Sequence, residues 1–236
     1  MALYRDHGIV LRTHKLGESD RIVTFVTERH GKVRAVAKGI RKTKSKFGAR
    51  LEPTSHVAVQ LYEGRELDIV TQAEAVDHFR VIREDLDRLG AAVTMLETVD
   101  QMSLDREPNP ELYRMLLGAL RTLAADHSPL VVAGFHWKLL ALEGFRPMVE
   151  GCVVCDSVDG LVAFDPIEGG LLCNEHRRGT RLSAEAVELL QQILGGRLGQ
   201  ALAAPASSAT HEVDHLATRV MEHHLERRLR SVGLFD

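Results

Sequence analysis

Cys152, Cys155, Cys173 and His176 form the pattern C-x2-C-x17-C-x2-H. A two-residue gap lets both side chains of a pair reach one tetrahedral ion, with Zn–S bonds of about 2.3 Å. Thiolate softness favours zinc over magnesium or calcium. Four protein ligands fill the tetrahedron and leave no position for a catalytic water, so the pattern predicts a structural site. Gly160, Gly169 and Gly170 suit a tight hairpin between the two halves. A bound ion would hold together a segment poor in apolar core. For the fourth ligand, Glu175 or a water beside three cysteines is the alternative to His176. The chain has three cysteines, an odd number that argues against a disulfide framework. Three buried cysteines beside a surface histidine is the plain structural explanation. A redox CxxC would need a βαβ context that the segment lacks.

A second constellation lies near the N-terminus. Lys32 to Arg50 reads KVRAVAKGIRKTKSKFGAR and holds eight cations with no carboxylate: Lys32, Arg34, Lys38, Arg41, Lys42, Lys44, Lys46 and Arg50. A strand feeding a cationic loop makes a groove that can follow a phosphate backbone. Phe47 is a candidate for stacking on a base, or else the floor of a barrel. Arg5, Arg12, Lys15 and Arg21 are candidates to extend the patch. The bland explanation is a solvated charged loop, but nineteen residues without an acid weigh against it. No recognition helix presents itself, so the expected binding is sequence-tolerant and salt-sensitive.

The charge distribution supports the same reading. Residues 1–80 carry fifteen Lys/Arg against ten Asp/Glu, while residues 81–236 carry fifteen against twenty-three. The net charge of −3 conceals this contrast. The sequence holds no GxxxxGK[ST] loop, GxSxG elbow or HExxH helix. The twelve histidines scatter, and His215 has no ligand partner four residues on. The expectation is a protein that is not an enzyme. An RNA-binding barrel is the alternative to DNA, since both would share the cationic strand and loop, and a zinc-dependent hydrolase is the more remote one.

The elements that must position these residues divide into β and α parts. Gly8–His14, Arg21–Thr27, Lys32–Lys38, His56–Tyr62 and Glu66–Gln72 read as short strands, several with strict apolar/polar alternation. Five strands in about 70 residues predict a small barrel, OB-fold or SH3-like. Periodicity does not separate the two. From Ala75 the pattern turns helical, predicting helices over 76–89 (ended by Gly90), 91–104, 111–125 and 128–142. Ser183 opens a helix to about residue 194, and a long helix is predicted over 210–230. The fold class is α+β. The expected domains are a 1–75 barrel, a 76–149 helical domain, a 150–180 knuckle, and helices over 181–236 packing on the helical domain. No apolar run approaches the roughly 18 residues of a membrane span. Asp6 and His7 interrupt any signal-like region, so the cytoplasm is the expected location.

These residues also carry a family resemblance. GIVLRTHKLGESDRIVTFVTERHGKVRAVAKG, then SKFGARLEP, then QLYEGRELDIVTQAE, closely resemble RecO, the bacterial recombination mediator family. The order of barrel, helices, CxxC with a later Cys/His pair, and a terminal helix ending HLERRLRS is similar too. The resemblance implies an N-terminal OB-fold that binds single- and double-stranded DNA and anneals complementary strands. It implies joint work with RecR in loading RecA onto DNA coated by single-strand-binding protein, and contact with that protein's acidic C-terminal tail. Arg34, Lys38, Arg41, Lys42, Lys44, Lys46 and Arg50 match the DNA-facing strand and loop. Cys152, Cys155, Cys173 and His176 match the metal positions. His176 departs from the four-cysteine sites common in zinc-bearing members. The tail-binding pocket is not placed; Arg114 and Arg121 are candidates only.

Overall fold

A computed structural model describes residues 2–42, 45 and 47–232. The chain forms two compact units, Met1–Ala125 with Leu229–Asp236, and Asp126–Arg228. Five strands build the first: β1 (Leu3–Leu16), β2 (Asp20–Thr27), β3 (Gly31–Ala37), β4 (His56–Tyr62) and β5 (Asp68–Asp77). β1 is long enough to serve two neighbours. Its first half pairs with β4, its second half with β2, and an irregularity between Val10 and Arg12 bends it. The barrel closes in the order β1-β2-β3-β5-β4 through a parallel β3–β5 pair. That order is OB-type, which decides between the two barrels the alternation allowed. Inward-facing Val33, Ala35 and Ala37 of β3 meet Phe25, Val57, Leu61 and Val70 in the core.

Phe47 belongs to this core and is 1% exposed. It is therefore the floor of the barrel and no stacking platform. Burying its ring there is worth about 2 kcal/mol.

The helical half of the unit corrects the sequence reading at one point. Residues 76–89 do not form one helix ended by Gly90. β5 runs on to Asp77, paired with His56, and Phe79 turns the chain with φ of 44°. A short α1 (Arg80–Glu84) follows, and then α2 (Leu86–Met102) passes straight through Gly90. Asp85 explains the break, because its side chain accepts the Arg88 N–H and starts the new helix. α3 (Pro110–Ala125) completes the unit and buries Leu112, Tyr113, Leu116 and Leu120.

Barrel and helices are tied through the α2–α3 connection. The Arg106 N–H donates to the Lys32 carbonyl, and Asp105 bridges to Lys32 beside β3. A Cβ on Gly31 (φ +66°) would lie 2.1 Å from the Glu107 carbonyl oxygen, so this approach requires glycine. The Arg106 guanidinium pairs with the fully buried Asp68 carboxylate, which also accepts from the Tyr4 hydroxyl and the Gly64 N–H. Arg106→Ala leaves that buried charge with two donors in place of three partners. Stability of the unit should fall by about 2 kcal/mol. Urea denaturation read by circular dichroism checks it, and an unchanged midpoint would show that the clamp is dispensable.

The second unit starts with α4 (Val131–Leu142) and a three-stranded sheet ordered β7-β6-β8, from β6 (Leu161–Asp165), β7 (Gly170–Cys173) and β8 (Thr180–Arg181). α5 (Ala184–Leu194), α6 (Leu198–Leu202) and α7 (Ser208–His224) follow. Ser183 caps α5 and Ser207 caps α7, the latter in a reciprocal box with Thr210. α7 stops six residues before the predicted end. Glu226 takes φ of 53°, while the N–H groups of Glu226 and Arg227 reach the carbonyls of His223 and Glu222. Trp137 and Phe164 join α4 to β6, with ring centroids 5.6 Å apart.

His136 is fully buried on α4, and burial pushes its pKa down to about 4. It is neutral when folded, whereas the unfolded chain protonates an ordinary histidine near about 6.5. The stabilising difference is therefore complete above pH 6.5 or so and drains away as pH falls toward 4 or so, by about 3 kcal/mol. Denaturation of wild type and His136→Leu across that window isolates the effect. Parallel losses in both proteins would assign it elsewhere.

Candidate nucleic-acid interface and metal centre

The cationic segment occupies the end of β3 and the loop beyond it. Arg34 sits on the outer side of β3, opposite Thr24 of β2, and is exposed. Lys38 follows the strand and is exposed, as are Arg41 and Lys42. Arg50 is exposed in a 3-10 turn over Gly48–Leu51. Lys44 and Lys46 lie outside the described residues.

The loop is held by the β1–β2 turn. The Gly39 N–H donates to the Asp20 carboxylate at 2.7 Å, the Arg41 N–H to the Ser19 carbonyl at 3.0 Å, and the Arg41 guanidinium to the Glu18 carbonyl at 3.0 Å. The Gly39 bond keeps the Asp20 carboxyl below the usual carboxylate range, aided by the Ser19 hydroxyl. Asp20 therefore orients the cationic loop, while Arg21 pairs with Glu52 at 2.9 Å. Sequence spacing could not reveal this role, since the partner backbone is nineteen residues away.

Several cations of the predicted patch are committed elsewhere. Lys32 donates to the Asp100 carbonyl at 2.8 Å and lies 3.6 Å from the Asp105 carboxylate, with its side chain 14% exposed. Arg12 pairs with Asp100, while Arg5, like Arg41, is exposed and donates to a neutral acceptor, Gln60 at 2.9 Å. Lys15 remains exposed at the tip of β1. The open cationic edge thus consists of the β3 end, its following loop and the β1–β2 tip.

The metal-ligand residues converge within the second unit. The first pair lies on a turn in which the Asp156 N–H reaches the Cys152 carbonyl and the Val153 N–H reaches the Leu171 carbonyl of β7. The second pair starts at the end of β7, where the His176 N–H donates to the Cys173 carbonyl. Gly170 lets the two halves meet, since a Cβ there would lie 2.4 Å from the Met148 carbonyl. The four ligand atoms all lie within 4.8 Å of one another. Cys155 Sγ and Cys173 Sγ are 3.8 Å apart, Cys152 Sγ and His176 Nδ1 3.8 Å, and Cys173 Sγ and His176 Nδ1 3.3 Å.

A tetrahedral ion with metal–sulfur bonds of about 2.3 Å separates its ligands by about 3.8 Å, so the donors fit. Burial pushes the Cys152 thiol up, but backbone N–H groups of Cys173, Val154 and Cys155 outweigh it and bring the thiol down to about 6. The His176 ring lowers the Cys173 thiol, and Cys173 raises the His176 ring in turn. The Ser157 N–H lowers the Cys155 thiol, but desolvation and the Cys152 and Cys173 sulfurs outweigh it and raise that thiol. Two of the three thiols are thus held toward the thiolate, the form that ligates a metal. An ion held by all four residues would have its tetrahedron filled by protein, the arrangement of a structural site.

An OB-type barrel with attached helices, followed by a unit whose knuckle can hold a metal through three cysteines and one histidine, is the class these features define. The model for the N-terminal domain of recombination protein O matches residues 1–79, and that for its C-terminal domain matches residues 83–232. The DNA repair protein RecO of Nocardioides sp. (strain ATCC BAA-499 / JS614) is 44% identical over 244 residues, spanning 99% of each chain. The chain belongs to the RecO family of DNA repair proteins. No helix among the described residues is long and apolar enough to cross a membrane.

Proposed function

We propose that the chain binds single- and double-stranded DNA along the open cationic edge of its 1–75 barrel and anneals complementary strands without catalytic turnover. In this reading it acts in the cytoplasm with RecR to load RecA onto DNA coated by single-strand-binding protein, whose acidic C-terminal tail it contacts. The observation that carries the reading is the carboxylate-free run from Lys32 to Arg50 on an OB-type barrel. Arg34, Lys38, Arg41, Lys42 and Arg50 on the described part, with Lys44 and Lys46, supply the phosphate contacts. These position a strand without reading its sequence. The metal of the 150–180 knuckle is zinc, chosen by three thiolates and an imidazole.

A strand-annealing assay on the purified protein, with metal content measured in parallel, tests the reading. Annealing well above the spontaneous rate is expected, with about one zinc per chain. Competition between single-stranded DNA and RNA of one sequence completes the test. A clear preference for RNA would overturn the DNA assignment in favour of an RNA-binding barrel.

A further inference from the structure

The second unit carries a cationic groove that the barrel leaves unused. Two hollows of about 550 Å³ each adjoin at the C-terminal end of α7 and share Pro166, Val220, His223 and Glu226. One is aromatic, lined by Phe145, whose ring is open to a stacking base, and by Trp137 and Phe164, which are buried. The other is lined by Arg219, Arg227 and Arg228. Phe145 is 59% exposed and rests against His224, with ring centroids 4.2 Å apart. Trp137 is fully buried, and its indole N–H has no acceptor among the described residues.

Single-stranded nucleic acid needs this combination, a surface on which bases stack and cations that follow the phosphates. The arginines also complement the α7 C-terminus, where positive charge is favoured. Helix stabilisation does not account for an exposed phenylalanine and an unpaired buried N–H in the adjoining hollow. Glu222 and Glu226 oppose three arginines, which leaves the groove cationic. An acidic peptide would be served by cations ringing the aromatic hollow. The arginine there, Arg146, is instead paired with Glu150 at 3.1 Å. The other hollow gathers three arginines against two glutamates, an excess of cation that suits a polyanion.

We propose that this groove is a second track for single-stranded DNA, taking one strand while the barrel edge holds the other. The inference rests on the annealing function proposed above, since annealing requires two strands on one protein or on neighbouring copies.

Trp137 is the chain's single tryptophan, so its emission reports on this groove. In a titration of the full chain with a fluorescein-labelled dT oligonucleotide, its emission should be quenched as anisotropy saturates. The variant R219A/R227A/R228A removes three charges that line the groove. It should anneal at least about tenfold more slowly and lose the quench, while tight binding of the first strand stays within about twofold. Phe145→Ala, at an exposed position, should slow annealing by about tenfold. Unchanged Trp137 emission at saturation would overturn the second track. So would an annealing rate unaltered in both variants while wild type anneals. Quenching by an acidic, apolar peptide and not by dT would overturn it in favour of a peptide dock. Wild-type protein that neither binds dT nor anneals would overturn the proposed function itself.

Discussion

Cys173→Ser is expected to abolish metal retention and to lower the melting temperature of the second unit by about 15 °C or more. Cys173 ends β7 and is buried, so it ties the hairpin of β6 and β7 to the knuckle turn that carries Cys152. Structural zinc supplies roughly 10–16 kcal/mol in isolated finger peptides. Here α4, α5 and α7 contribute their own apolar core, with Leu139, Leu190, Val213 and Leu216 all buried. Part of the fold should therefore survive, and the loss should be nearer about 4 kcal/mol than the full binding energy. Calorimetry with metal analysis gives the answer, and a strong chelator acting on wild type should reproduce the variant's melting curve. Cys155→Ser should act in the same direction, and should lower stability more than DNA affinity per folded molecule. A Cys173→Ser protein that melts like wild type and keeps its metal would remove the structural role assigned to the cluster.

The knuckle and the barrel were legible in the sequence for different reasons. A metal site is a local object: its ligands fall in two pairs, and pair spacing is dictated by the reach of side chains around one ion. Strand alternation is local as well, and β2, β3 and β4 lie where it predicts. What depended on distant partners was not legible. The parallel β3–β5 pair that makes the barrel OB-type joins Ala35 to Asp68, and no short-range pattern encodes it. Phe47 stands in a run of cations yet faces the core, because the barrel needs a floor more than the loop needs a ring. Arg12 and Lys32 look identical to Arg34 in a charge count, but Asp100 on α2 claims both. The break at Asp85 was hidden by apolar spacing that runs smoothly from Val76 to Leu89, while the cap and the left-handed Phe79 act at single positions.

That difference among cations yields the second large effect. Arg34→Ala, Lys38→Ala and Lys42→Ala together should weaken single-stranded DNA binding about 100-fold at about 50 mM salt. The three side chains are exposed on the β3 end and its loop. Removing three phosphate contacts should also flatten the slope of log K against log salt by about 2, from the release of fewer counterions. Exposed substitutions of this kind cost little stability, so the melting temperature should move by no more than about 2 °C. Lys32→Ala is the matched contrast. Lys32 is spent on Asp100 and Asp105, so its loss should lower stability by about 1 kcal/mol and leave the salt slope nearly unchanged. Anisotropy titrations across a salt series distinguish the two outcomes. If the triple variant kept the wild-type slope, the phosphates would not run along this edge. If Lys32→Ala flattened the slope as much as the triple variant, cation position would not matter and only total charge would. The expected contrast is that charges in the same nineteen-residue run divide into those that pin the barrel to its helices and those left for a polyanion.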